Sequence, residues 1–79
     1  MSASTRTFRL SVERAEGALE RVLGVVRRRG LGLHRFSVDQ GPDGHWDIAI
    51  TASSTESEAA LALRQLSALI DVRTARSDA

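Results

Sequence analysis

The chain has 79 residues, 42% of them hydrophobic and 27% charged, with eleven Arg, no Lys and no cysteine. At this length one small core is marginally stable, and neither a disulfide nor a zinc site is available to reinforce it. Association with a second copy or a larger partner is therefore expected. The net charge of +1 makes no electrostatic case for nucleic acid or a membrane surface, and no apolar run reaches the ~18 residues needed to span a bilayer. Met1 to Thr7 lacks the apolar core of a signal peptide, so the expected address is cytoplasmic.

Phe8, Leu10 and Val12 alternate with Thr7, Arg9 and Ser11, the period of a half-buried strand over Thr7–Val12. Glu13 to Gly17 breaks that period. A helix is predicted from about Ala15 to Arg29, with Leu19, Val22, Leu23 and Val26 as one apolar stripe. Its acidic start (Glu13, Glu16, Glu20) and basic end (Arg27, Arg28, Arg29) match the helix dipole, and Gly30 stands where a left-handed C-terminal glycine belongs.

A second strand is expected over Gly32–Gln40, with His34, Phe36 and Val38 on one face and Leu33, Arg35 and Ser37 on the other. The run Gly41-Pro42-Asp43-Gly44 reads as a tight turn. A third strand follows over His45–Ala52, with Trp46, Ile48, Ile50 and Ala52 inward, so the two strands form an antiparallel hairpin. Ser54 or Thr55 can cap a second helix, with Ser57 or Glu58 as the capping-box partner. That helix runs to about Leu69, with Ala59, Leu63, Leu66 and Ile70 as its stripe. A short last strand covers Val72–Arg76, and Ser77, Asp78 and Ala79 are expected to fray.

The order βαββαβ, in one domain spanning 1–79 with an ordered core of about 7–76, is that of a ferredoxin-like plait: a four-stranded antiparallel sheet with two helices on one face. The expected core is Phe8, Leu10, Val12, Leu19, Val22, Val26, Phe36, Ile48, Ile50, Leu63, Leu66 and Ile70. The open face is left with Arg9, Ser11, Leu33, Arg35, Asp47, Ala49 and Thr51, a mixed polar surface that suits water or a second copy.

No catalytic constellation emerges. Stacking of RNA bases needs aromatics on the open face, but Phe8, Phe36 and Trp46 all fall on the helix face. His34 and His45 lack the companions of a zinc site; His34 is read as an inward-facing, hydrogen-bonded residue and His45 as a solvated turn residue. No spacing selects a nucleophile, base and acid. Arg27-Arg28-Arg29 reads as a solvated helix end. Gly17, in the first turn of an amphipathic helix, has two readings. It is an incidental glycine, or it leaves bare backbone through which a ligand or neighbouring chain approaches the free amides of the helix N-terminus.

The stretch from Glu13 to Gly30 contains Gly17-Ala18-Leu19-Glu20-Arg21-Val22-Leu23-Gly24 and Arg29-Gly30. It resembles the first strand–helix unit of the ACT domain in small regulatory subunits of acetohydroxyacid synthase (acetolactate synthase). The likeness is greatest to the short isozyme II type, whose second helix ends much as Gln65 to Val72 does here. The resemblance covers roughly residues 7–76. It implies a non-catalytic chain that binds the large, thiamine-diphosphate-dependent subunit and raises its activity in branched-chain amino-acid synthesis. The cofactors thiamine diphosphate, magnesium and FAD would belong to that large subunit, with none and no metal in this chain. A homodimer is implied, since ACT domains pair side by side into an eight-stranded sheet. An effector site then lies between the loop before helix one of one copy and the loop after helix one of the other. Carried onto this sequence, that site comprises Arg14, Glu16, Gly17, Ala18 and Gly32. Arg14 and Gly32 stand where valine-regulated relatives have Asn, which removes both side-chain acceptors for an effector ammonium and implies valine insensitivity. Arg21 and Arg28 are the candidate contacts to the large subunit. The alternative is a free-standing ACT module that senses a small ligand such as an amino acid.

Overall fold

The computed structural model describes residues 3–78. Its elements follow the predicted order: β1 (Ser4–Val12), α1 (Ala18–Arg28), β2 (Gly32–Gln40), β3 (Trp46–Ser54), α2 (Glu56–Ser67) and β4 (Val72–Asp78). The sheet is ordered β2-β3-β1-β4 with every neighbouring pair antiparallel, so β2 and β4 are the edges. This is the ferredoxin-like plait expected from the sequence.

The alternation of β1 and β3 sets the register. Phe8 lies opposite Ile50 and Leu10 opposite Ile48, all four buried to 4% exposure or less. Sliding by one residue would turn this apolar face outward. Against it pack Ala18, Val22, Val25 and Val26 of α1 and Ala59, Ala62 and Leu66 of α2. Each large side chain so buried contributes about 1.5–3 kcal/mol of transfer free energy.

Several expectations shift. β1 begins at Ser4 rather than Thr7, because β3 continues to Ser54 and pairs it with Ser4. α1 begins at Ala18 rather than Ala15, because Gly17 is left-handed at φ +81°, a conformation no helix contains. The buried stripe of α1 runs through Ala18, Val22, Val25 and Val26, while Leu23 is 37% exposed. The small Ala and Val side chains face the sheet, where Phe8, Ile48 and Ile50 already fill the layer. α2 stops at Ser67, so the helical period ends before Ile70, which is 89% exposed. Leu69 turns onto the core instead, and the amide of Val72 bonds its carbonyl at 3.1 Å. Ser77 and Asp78, expected to fray, are paired in β4 with Phe8 and Thr7; Ala79 lies outside the described residues.

Strand β2 carries the main change of face. Its register to β3 shifts between Leu33 and Arg35, a bulge with His34 as the extra residue. Leu33 therefore faces Ala52 on the helix side, not the open side. His34 turns to the open face, where its Nε2 lies 2.6 Å from Ser53 Oγ. Among the turn signals, Gly41 to Gly44 closes the hairpin with the amide of Gly41 bonded to the carbonyl of His45 at 2.7 Å. Thr55 is the cap of α2: its hydroxyl accepts from the Glu58 amide at 3.2 Å, and its own amide donates to Glu58 Oε1 at 2.7 Å.

Candidate functional site

The loop between β1 and α1 is held from three sides. The amide of Glu13 donates to the Asp71 carbonyl at 2.8 Å, and Arg73 Nε donates to Glu13 Oε1 at 2.6 Å. The Arg14 guanidinium lies 5.6 Å from the centroid of the Trp46 ring, a cation–π distance. Arg21 reaches back along its helix, donating from Nη2 to the Glu16 carbonyl at 3.1 Å and from Nε to Asp71 Oδ2 at 2.9 Å. Arg21 was expected to meet a partner; the fold commits it to fastening this loop to the start of β4. Arg28 remains exposed.

Gly17 is the N-cap of α1. Its positive φ is the reason for a glycine, since a side chain there is strained by about 1–2 kcal/mol. The Ala18 amide, expected to be free, donates to the Ala15 carbonyl at 3.1 Å. Leu19 and Glu20 follow in the first turn, where an α-helix leaves its amides without intrahelical acceptors. Arg14, Glu16, Gly17 and Ala18 thus share one loop. Gly32 does not join them: it pairs with Ser53, whereas the loop leaves the sheet at Val12, level with Trp46. Seven residues of strand separate the two levels, roughly 23 Å. One chain therefore carries the two halves of the expected site at opposite ends of its sheet.

Between them, α1 and the unpaired edge of β2 enclose an apolar groove of about 520 Å³, whose lining includes Leu23, Val26, Leu31 and Leu33. Leu33 is 46% exposed. The alternation in β2 assigned Leu33 to the other face, and only the bulge at His34 places it beside Leu23.

A charged network joins this loop to the hairpin tip, and it holds His45, expected as a solvated turn residue, largely covered. His45 sits between two carboxylates, with Nδ1 on Asp43 and Nε2 2.9 Å from Asp47, and its side chain is only 12% exposed. Asp43 also accepts from Arg73 Nη1 at 2.8 Å. The Asp43 bond, followed by that of Asp47, raises the His45 pKa above its ordinary value. Arg73, followed by His45, holds the Asp43 carboxyl well below the usual range. The hairpin tip, β4 and the β1–α1 loop are linked through these groups. Asp43, His45 and Asp47 already hint at such a cluster by their spacing, but Glu13 and Arg73 are distant in sequence. Among the described residues no group of three His, Asp or Glu side chains forms a metal site, and no helix is long and apolar enough to cross a membrane.

The fold is shared by proteins of known structure. The ACT domain from GTP pyrophosphokinase of Chlorobium tepidum superposes with a TM-score of 0.85 at 13% identity, covering 98% of this chain and 100% of that one. The regulatory subunit of aspartate kinase from Thermus thermophilus gives 0.74 at 17% identity, covering 99% of this chain and 55% of that one. Prephenate dehydratase from Arthrobacter aurescens, solved in complex with L-Phe, gives 0.77 at 27% identity; the match covers 96% of this chain and 26% of that one. No curated protein sequence matches. Residues 14–75 match the ACT domain family. The chain belongs to that family and is an ACT regulatory domain.

Proposed function

We propose that this chain is a non-catalytic subunit that acts as a pair of copies and raises the activity of an acetohydroxyacid synthase large subunit. The observation that carries the reading is the stretch Glu13–Gly30. Its wording resembles the small subunits of that enzyme, and the fold uses it as the fastened loop, α1 and the left-handed Gly30 at φ +68°. Pairing is supported by the separation of Arg14–Ala18 from Gly32. A two-fold pairing of β2 edges sets one copy's loop level with the other copy's Gly32, and it covers the apolar groove at Leu23 and Leu33. Activation requires only that the pair bind the active arrangement of the large subunit more tightly than the inactive one. A tenfold gain corresponds to about 1.4 kcal/mol of that difference. Thiamine diphosphate, magnesium and FAD stay with the large subunit.

A second reading, the free-standing amino-acid sensor, is favoured by the likeness to the prephenate dehydratase chain solved with L-Phe. Valine is not the expected effector, because Arg14 and Gly32 offer its ammonium no side-chain acceptor, and an unpartnered buried charge costs several kcal/mol. Co-sedimentation of the purified chain with its cognate large subunit separates the two readings. The regulatory-subunit reading expects a complex; a large subunit that sediments alone at saturating small subunit leaves the sensor.

A further inference from the structure

The helix side of the sheet changes character at one end. The inward face of β3 runs Ile48, Ile50, Ala52 and then Ser54, and that of β1 runs Leu10, Phe8 and then Arg6. Arg6 stands opposite Ala52, and Ser54 opposite Ser4, so Arg6 and Ser54 are diagonal neighbours within reach of a long side chain. Ser54 is only 2% exposed, so a hydroxyl closes the buried layer on β3. On α1, Arg29 lies one turn beyond Val25 and continues the stripe of Val22, Val25 and Val26 that faces the sheet. It reaches the same end, just before Gly32, which pairs with Ser53. Two cations and a hydroxyl thus terminate an otherwise apolar core.

Each of the three holds a buried polar atom without a hydrogen-bond partner: Arg6 Nε, Arg29 Nε and Ser54 Oγ, the three such side-chain atoms among the described residues. An unpaired buried donor destabilises more than a typical made bond stabilises, and folded proteins keep few of them. Neither guanidinium is neutralised. Among the described residues the arginines in ion pairs are Arg9, Arg21, Arg73 and Arg76, and Arg6 Nη2 donates to the neutral Ser4 Oγ at 2.8 Å. The carboxylates next to Ser54 in sequence open α2. There Glu58 Oε1 accepts from the Thr55 amide at 2.7 Å, and Glu56 is exposed.

These groups select a ligand by charge and donor type. All three can donate, so the complement is an acceptor. Two are permanent cations, so a dianion balances them. They belong to three different elements and approach from different sides, which suits a tetrahedral group better than the two coplanar oxygens of a carboxylate. A phosphate group carries three terminal acceptor oxygens and close to two negative charges near neutral pH, and Arg holds it through charge-assisted bonds. We propose that this end of the molecule binds the phosphate group of a small molecule, which accepts from Arg6 Nε, Arg29 Nε and Ser54 Oγ. Arg6 stands two strands in from the β2 edge, so this site is distinct from the one expected at that edge. It does not depend on the identity of the enzyme partner.

The test adds inorganic phosphate to the full chain, with sodium chloride holding the ionic strength constant, and follows the arginine Nε–H signals by NMR. Those of Arg6 and Arg29 should shift and saturate while the other arginines stay in place. Acetate, planar and singly charged, should bind at least about tenfold more weakly. Glycerol phosphate offers the same group as an ester, and tighter binding than inorganic phosphate identifies an ester as the source. Arg29→Met keeps the buried stem and removes the charge; Ser54→Ala removes the hydroxyl. Both delete an unpaired buried donor, so without phosphate their melting temperatures should match or exceed that of the unsubstituted chain. Their phosphate affinity should fall at least about tenfold. Absence of saturable shifts, shifts spread evenly over all the arginines, or equal binding of acetate would each overturn the proposal. So would variants that melt lower without phosphate yet bind it undiminished, the mark of a purely structural role.

Discussion

Gly17→Ala tests how the β1–α1 loop is built. The substitution forces an L side chain to φ +81°, at about 1–2 kcal/mol, less roughly 0.4–1 kcal/mol returned by the stiffer unfolded chain. The new Cβ would also lie 2.8 Å from Arg21 Nη1, inside contact distance, so the guanidinium must leave its place. That releases its bonds to Asp71 and the Glu16 carbonyl. With the Arg21 side chain 42% exposed and that of Asp71 13% exposed, the pair is screened and contributes at most about 1 kcal/mol. The sum is at most about 2 kcal/mol. Gly30→Ala supplies the control: its φ is +68° but a Cβ there meets nothing within 4 Å, so backbone strain alone, about 1 kcal/mol net, remains. Urea unfolding at one fixed protein concentration measures both, and each kcal/mol corresponds to about 4–8 °C in a domain this small. Gly17→Ala should cost more than Gly30→Ala, and the excess should vanish in an Arg21→Ala background. Equal losses at the two glycines, or an excess that persists without Arg21, would show that Arg21 does not fasten the loop.

Two further outcomes follow from the site. Because the folded-state pKa of His45 is raised, its contribution to stability is fully present below about pH 6.5 and is lost as pH rises through the folded-state value. The urea midpoint should therefore fall with rising pH in that window, and His45→Asn should remove the dependence; an unchanged slope in His45→Asn would place its origin elsewhere. Asp43 runs the other way: its lowered pKa gives a contribution held above its ordinary value near pH 4 and lost only as pH falls through the depressed one. Leu33→Asp places a charge in the groove beside β2, so it should weaken self-association at least about tenfold by sedimentation velocity while leaving the fold intact; an unchanged sedimentation coefficient would move the interface off this edge.

How much of this was legible in the sequence depends on the range of the interaction. Strand alternation placed Phe8, Leu10, Ile48 and Ile50 correctly because a period of two has only two faces to choose between. The capping box at Thr55 and Glu58 and the left-handed Gly30 are local and carry their own residue signatures. The errors arise where one residue changes the geometry of those after it. The bulge at His34 exchanged the faces of His34 and Leu33, and so concealed the groove. The stop at Ser67 left Ile70 outside the helical period, and α1 buries Val25 where Leu23 was expected. Arg21–Asp71 and Arg73–Glu13 join residues 50 and 60 positions apart, which no spacing rule reaches. Arg14, Glu16, Gly17 and Ala18 were placed in one loop by adjacency alone. That Gly32 stands at the other end of the sheet required the register.

The most direct measurement is acetolactate formation by the cognate large subunit, with its own cofactors bound, titrated with this chain. The account predicts a rate that rises severalfold and saturates, with the chain alone inactive and the activation reduced by Leu33→Asp through loss of the pair. A rate unchanged at saturating small subunit would contradict it.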